Sequence, residues 1–512
     1  AAHTDCHHLG WSRLLLSSHC VLLAFCLQKF GSIVNMCNAP DVKQHGDKQA
    51  AQKSKGNSGA AAYAFDDEPM QFGGPMGAII IMGFSHVLLY YLYISVTLHD
   101  GALFLPTEPR RYATHLWENA TPTAETWTVY LGFIVFQTAL ALFLPGLFIE
   151  GIPVKSLAGK KLTYNCNGYG AWACTQALAL AMHMGGVFRI QWIIQNYGSL
   201  MTTMIIFGDA VALLVYACGF VSRVPGEGHP GAFRKERMSG NHVYDFFMGA
   251  SLNPRLRGPL PGGLDIKMWA EVRVSWITLF LITLSAAAQQ YDEHGTVTSP
   301  MCIMVLAHWL YTNACVKGEE CIVPTWDIAH EKWGWMLCFW NLAGVPVMYT
   351  WNSVYLLKHS DRDLGPTVAA IGLVAYLFMY YIWDTSNSQK NNFRAVLNGT
   401  YKPRGWYVFP QLPWKVVSNP DHIVTKAGSP LLCDGWLKYA RKINYTCDIF
   451  FALAWGLVCG TTHFLPYFYF CFFTGFIYHR ALRDNERCIA KYGDDWKRYV
   501  QKSPYLLVPY IY

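Results

Sequence analysis

Ten apolar stretches punctuate the chain, near residues 76–97, 127–148, 168–187, 198–221, 268–288, 300–316, 333–356, 366–384, 446–463 and 465–481. Each is about the length a helix needs to cross the hydrocarbon of a bilayer, although several are short or polar. A chain in lipid must satisfy its backbone internally, which excludes an open sheet. The pattern therefore predicts an all-α fold, a polytopic integral membrane protein with about ten transmembrane helices. Neither an internal repeat nor a coiled-coil heptad interrupts it. Before the first stretch, the Lys, Gly, Ala and Ser of residues 36–69 predict a disordered tail. No Met precedes Met36, so residues 1–35 are expected to be artefactual, with a signal peptide as the alternative.

Composition agrees with the pattern. Of 512 residues 53% are hydrophobic and 14% charged, where a soluble domain carries about a quarter charged. Placing the tail in the cytoplasm puts Lys155, Lys160, Lys161, Arg223, Arg234, Lys235, Arg237, Arg255, Arg257, Lys267 and the nine Lys or Arg of residues 386–445 on that side. The facing loops keep Arg110, Arg111, Arg189, Lys358 and Arg362. This bias predicts cytoplasmic termini and an even number of spans. It also explains the net charge of +7 as an orientation signal and not a nucleic-acid surface. The sixteen Cys are scattered and show no CxxC or Cys/His ladder, so buried free thiols are expected and no metal site.

Five polar segments fall at the cytoplasmic ends of spans, where a soluble cofactor could reach. They are Gly240 to Arg255, Lys317 to Asp327, Asp384 to Arg394, Asp434 to Tyr445 and Arg480 to Tyr492. In the third, Lys390 and Arg394 stand one helical turn apart and can clamp a phosphate, Arg as a fork and Lys as a point charge. In the fifth, Arg480, Asp484 and Cys488 repeat at four-residue spacing, followed by Lys491 and Tyr492. A basic collar on the membrane surface is the alternative for the last three segments. His308, alone in its span, reads more readily as a helix-packing hydrogen bonder than as a proton donor. No Gly-rich dinucleotide fingerprint follows a strand, so a dinucleotide would have to bind between helices.

The strings GNHVYDFFMGASLNPR, AHWLYTNACVKGEECIVPTWDIAHEKWGW, NLAGVP, DTSNSQKNNFR, DGWLKYARKINYTCD and RDNERCIAKYGDDWKRY through the terminal PYIY resemble the sterol reductase family across residues 70–512. GNHVYDFFMG, the KGEE segment and ARKINY resemble its Δ24(28) branch most. The resemblance implies a ten-helix reductase of the endoplasmic reticulum membrane acting late in ergosterol-type synthesis. NADPH would be held by the carboxy-terminal half, residues 300–512, and the sterol substrate would come from the membrane lipid. Other sterol-synthesis enzymes are implied as partners. By position in the shared motifs, Lys390, Arg394, Trp436, Asn444, Tyr445, Arg480, Asp484, Cys488, Lys491 and Tyr492 would line the cofactor pocket.

An isolated alkene has no carbonyl to take up electrons, so protonation must precede hydride transfer. The acid must sit near the alkene; Glu319, Glu320, Asp245 and Tyr244 are the candidates. Two rival functions remain open: a sterol Δ14- or Δ7-reductase working on a ring double bond, and an isoprenylcysteine-type methyltransferase using S-adenosylmethionine.

Overall fold

A computed structural model describes residues 70–154, 157, 159–221, 233, 235–236, 238–403 and 416–512. The expected tail at 1–69 and Lys155, Arg223, Arg234 and Arg237 lie outside these residues. The described residues divide into two compact units. The smaller comprises 70–84 and Ser239–Phe247; inside it the Gln71 amide donates to the Tyr244 hydroxyl (2.8 Å) and the Phe72 and Phe247 rings meet edge to face.

The apolar stretches are all found in helical segments. The principal helices are α1 (Gly74–Leu98), α2 (Pro109–Asn119), α3 (Ala124–Phe143), α4 (Gly168–Met184), α5 (Tyr197–Val221), α6 (His242–Met248), α7 (Ile266–His294), α8 (Ser299–Lys317), α9 (Pro366–Leu397), α10 (Ile443–Val458), α11 (Leu465–Tyr492) and α12 (Asp494–Lys502). Between α8 and α9, residues 335–358 form a helix broken at residues 349–350. Among the described residues α1, α3, α5, α7 and α9 are long and apolar enough to cross a membrane, and α10 is a shorter apolar helix.

Two expected boundaries move. The stretch at 127–148 ends as helix at Phe143, because the chain turns into a hairpin of β1 (Leu147–Pro153) and β2 (Lys161–Cys166). The stretch at 366–384 continues to Leu397, so the polar third segment is helical throughout. Its start is set by Pro366, whose fixed φ and missing N–H suit the first turn. α3 starts at a capping box in which the Thr123 and Thr126 side chains each satisfy the other's backbone amide.

Side chains are distributed as a bilayer demands. Val368, Ile371, Val374 and Phe378 form an exposed apolar stripe on α9, where a soluble protein would place charge. Interior polar side chains join helices instead. His308 Nδ1 on α8 meets the Thr283 hydroxyl of α7 at 2.6 Å, which in turn meets Ser353 at 2.8 Å. His308 is thus a helix-packing hydrogen bonder, and Thr126 with Thr203 joins α3 to α5 in the same way at 3.0 Å.

Two π-helical turns sit side by side. One, Ala270–Ser275, lies within α7; the other is Trp340–Gly344. The Ser275 hydroxyl donates to the Asn341 carbonyl at 2.5 Å and ties them together. Such wide turns re-aim the side chains that follow and recur at functional sites. Here they precede Trp276 and Tyr349, whose rings lie 5.8 Å apart in the bundle interior.

Candidate active site

Helical continuity of α9 places Lys390 one turn before Arg394, as their spacing predicts. The start of α10 and the last turns of α11 close around them. Lys390 is near enough to Lys442 and Arg394 to be repelled by both, and Asp484 and Cys488 are also close. Lys442 and Asp484 form an ion pair. Burial pushes the Lys442 ammonium down, but Asp484 beside it holds it above the usual lysine range. Burial likewise pushes Asp484 up, while Lys442, Lys390 and Arg480 hold its carboxyl below the usual range. With Arg480 taken up by Asp327, Lys390, Lys442 and Arg394 outnumber the Asp484 carboxylate, and Lys390 forms no ion pair among the described residues. A polyanion fits that surplus.

Trp436 enters from a single 3-10 turn, Gly435–Lys438. Its indole N–H donates to Thr385 (2.8 Å) and its amide to Gln389 (3.0 Å), so the turn is pinned along α9 beside Lys390. Gly435 has φ +61°, and a Cβ there would stand 2.2 Å from the Gln389 side chain. Gly435→Ala combines left-handed backbone strain with this clash. It is expected to weaken binding of a dinucleotide at least severalfold in a titration, with the protein still folded.

Asn444 and Tyr445 open α10 half-buried, and Tyr445 packs on Ala481, Leu506 and Leu507. Arg480 pairs with Asp327 (2.8 Å) and faces Tyr445 electrostatically. Cys488 and Tyr492 pack against the cluster of Ile423, Leu431, Cys433, Trp496 and Tyr499. Lys491 is exposed, lying 4.9 Å from the Tyr492 ring centre. Arg394 is also exposed. The structure therefore gathers Lys390, Arg394, Trp436, Asn444, Tyr445, Arg480, Asp484 and Cys488 along α9, α10 and α11. It leaves Lys491 and Tyr492 at the rim.

One turn further along α10 the polar wall gives way to rings. Tyr311 of α8 lies 4.9 Å from Trp276, 5.7 Å from Trp383 and 6.0 Å from Trp455; Trp455 stacks on Tyr469, which meets Tyr349 at 4.6 Å. Asp448 stands among them, beside the Trp383 side chain and within electrostatic reach of Arg480. Tyr311, Tyr349, Trp383 and Asp448 are half-buried and form one aromatic cluster with a carboxylate beside it. Lys442, Asp327, Tyr311 and Asp448 join the candidates here. The signal for Asp448 was a lone carboxylate inside an apolar run.

The proposed proton donors have other occupations. Glu319 is buried at the end of α8; its Oε1 pairs with Arg273 Nη1 (2.8 Å) and its Oε2 accepts the Gly168 amide (2.7 Å). Arg273 also donates to Asn167 Oδ1 at 2.5 Å, and Asn167 Nδ2 donates to the Leu140, Ala141 and Leu144 carbonyls at the end of α3. Burial pushes the Glu319 carboxyl up against the pull of Arg273 and the Gly168 amide. Glu320 beside it is half-buried. Tyr244 and Asp245 belong to the smaller unit, where Asp245 accepts the Ser239 (2.9 Å) and Gly240 (3.2 Å) amides.

A cavity of about 690 Å³ lies elsewhere, lined by Thr298, Ser299, Cys302, Asp363, Ala370 and Leu373 among others. Seventeen residues of α9 separate its Leu373 from Lys390, roughly 25 Å at 1.5 Å per residue.

Comparison with known proteins gives these features a context. The chain is 44% identical over 471 residues, 90% of its length and 96% of the relative's, to the protein named Delta(24(24(1)))-sterol reductase erg4A of Aspergillus fumigatus. It is 40% identical over 451 residues, 86% of its length and 73% of the relative's, to the Delta(24(24(1)))-sterol reductase of Gibberella zeae. To a Delta(14)-sterol reductase of Methylotuvimicrobium alcaliphilum it is 34% identical over 465 residues, 90% of its length and 99% of the relative's. Residues 66–512 match the sequence pattern of one family from end to end, and the chain belongs to that family, the Ergosterol biosynthesis ERG4/ERG24 family.

Proposed function

We propose that the chain reduces the C-24(28) double bond of a sterol side chain with NADPH, by protonation and then hydride transfer, in the endoplasmic reticulum membrane. The observation that carries this reading is the succession along α10 and α11 of a cationic cluster and an aromatic cluster. Tyr445 and Asp448 stand three residues apart on one helix, Arg480 and Asp484 four apart on the other, so one face of each helix serves both clusters. In this reading Lys390, Arg394 and Lys442 hold the dinucleotide phosphates, and Trp436, Asn444, Tyr445, Arg480, Asp484, Cys488, Lys491 and Tyr492 line the rest of the cofactor site within residues 300–512. NADPH supplies the hydride; the protein orients it and excludes water from the aromatic cluster. The ten apolar stretches are ten spans, with both termini in the cytoplasm.

The residues fit such a cofactor on their own chemistry, since Lys390, without an ion pair among the described residues and repelled by Lys442 and Arg394, wants a phosphate. The two relatives described above at 44% and 40% identity carry the Δ24(24(1)) name, which favours the side-chain alkene over a ring double bond. The deciding experiment incubates membranes containing the protein with NADPH and either a 24(28)-methylene sterol or a Δ14 sterol. Saturation of the side chain alone is expected. Reduction of the ring alkene alone would reassign the substrate, and stimulation by S-adenosylmethionine with no reduction would reassign the reaction.

A further inference from the structure

We propose that Asp448 is the acid that protonates the sterol alkene, and that its carboxylate then stabilises the cation until hydride arrives. This rests on the reading of the chain as an NADPH-dependent alkene reductase.

Position is the first argument. Asp448 follows Tyr445 by three residues on α10, so the two share a helix face, with Tyr445 toward the cationic cluster and Asp448 toward the rings. Arg480 is within electrostatic reach of both. A group there adjoins the mouth through which a hydride would be presented.

Availability is the second. Carboxylates inside a membrane bundle are expensive and persist where they are paired or used. Asp384 is paired, at 3.1 Å with Lys317, and Glu319 is paired with Arg273. Asp448 forms no ion pair among the described residues, and the Trp383 side chain lies beside it. It is half-buried and not sealed, so its proton can reach a guest.

The surroundings are the third. Tyr311, Tyr349, Tyr376 and Tyr469 all lie within electrostatic reach of Asp448. The faces of such rings attract a cation in a site from which water is excluded. An acid beside a wall of rings suits a reaction whose intermediate is a positive carbon.

The step balances as follows. The π electrons of the exocyclic methylene form a C–H bond to the Asp448 proton, and the O–H bonding pair stays on the carboxylate. The branch carbon becomes a tertiary cation facing that carboxylate and the rings. A bound NADPH would supply the hydride for the second C–H bond and would leave as NADP+, so the sterol would gain one proton and one hydride in balance. Asp448 regains its proton from water, for which the partly exposed Arg480 and Asp327 mark a route.

The test uses the full-length protein in detergent, as wild type, Asp448→Asn and Asp448→Glu. Three quantities are measured: turnover of a 24(28)-methylene sterol, affinity for NADPH, and affinity for a sterol carrying an ammonium group at the side-chain branch, which mimics the cation. Asp448→Asn is expected to lose about 100-fold or more in turnover. Its NADPH affinity should hold, and its affinity for the ammonium sterol should fall by about tenfold or more. Asp448→Glu should recover part of both losses. Turnover within tenfold of wild type in Asp448→Asn, or equal binding of the ammonium sterol, overturns the assignment. Should Asp448→Asn fail to bind NADPH at all, Asp448→Glu decides: reduced turnover with the ammonium sterol still bound supports the proposal, and unaltered turnover overturns it. A wild type that leaves the methylene sterol untouched refutes the underlying reading before any variant is compared.

Discussion

Arg273→Ala is expected to destabilise the protein by about 3–5 kcal/mol, because it leaves the Glu319 carboxylate buried without its partner. Both side chains are about 2% exposed, so water cannot take the place of the lost guanidinium. The damage spreads, since the same guanidinium holds Asn167, whose amide closes the end of α3. Thermal unfolding in detergent, followed by size-exclusion, should show a sharply lowered midpoint. Glu319→Gln should show a related loss, now from a stranded cation. This matters for interpreting any inactive Glu319 variant, because loss of fold and loss of an acid look alike in a turnover assay. Replacing Arg273 and Glu319 together by Met and Leu separates them, since a buried pair exchanged for apolar groups of similar volume is often tolerated. A stable and active double variant removes Glu319 from the chemistry; a stable and inactive one restores it.

Lys390→Ala is expected to weaken NADPH binding by roughly 10- to 100-fold, the loss of one charge-assisted contact of about 1.5–3 kcal/mol. Its position between Lys442 and Arg394 makes the sign clear. Without a ligand the three cations repel, and a polyanion turns that repulsion into attraction. Arg394→Ala should lose less, because its exposed side chain works against solvent screening. Sterol affinity should be unaltered in both, as neither side chain belongs to the aromatic cluster. Titration of NADPH and of NADH against the wild type and Lys390→Ala reads the result. Equal NADPH affinity in both proteins would remove Lys390 from the phosphate site. Raised salt should mimic part of the Lys390→Ala effect on the wild type.

The sequence carried the helices because lipid imposes a simple rule: a long apolar run must be helical. It carried the clustering of Lys390 with Arg394, and of Arg480, Asp484 and Cys488, because each set repeats at helical spacing and lands together wherever the helix goes. It did not carry pairings between distant segments. Nothing in the KGEE segment reveals that Glu319 answers Arg273, and nothing around Arg480 reveals Asp327. Those partners are set by which helices are neighbours, a matter of packing that periodicity cannot express. The π turns were invisible for a related reason, since one extra residue in a helical turn leaves the apolar pattern almost unaltered. The hairpin at Leu147–Cys166 was hidden because Leu147 and Phe148 prolong an apolar run beyond the point where the helix has stopped.

The Arg273 knot joins side chains that leave the ribosome at very different times. Gly168 and Glu319 are 151 residues apart, and Asn167 and Arg273 are 106 apart. When α3 and α4 are first inserted, the Asn167 side chain has no guanidinium to accept, and when α7 follows, its arginine has no carboxylate. Biogenesis must therefore hold a bare positive charge near the bilayer until the loop after α8 has been synthesised. A nascent chain halted between these points would display an unfinished, water-seeking core, the kind of surface that membrane quality-control machinery inspects.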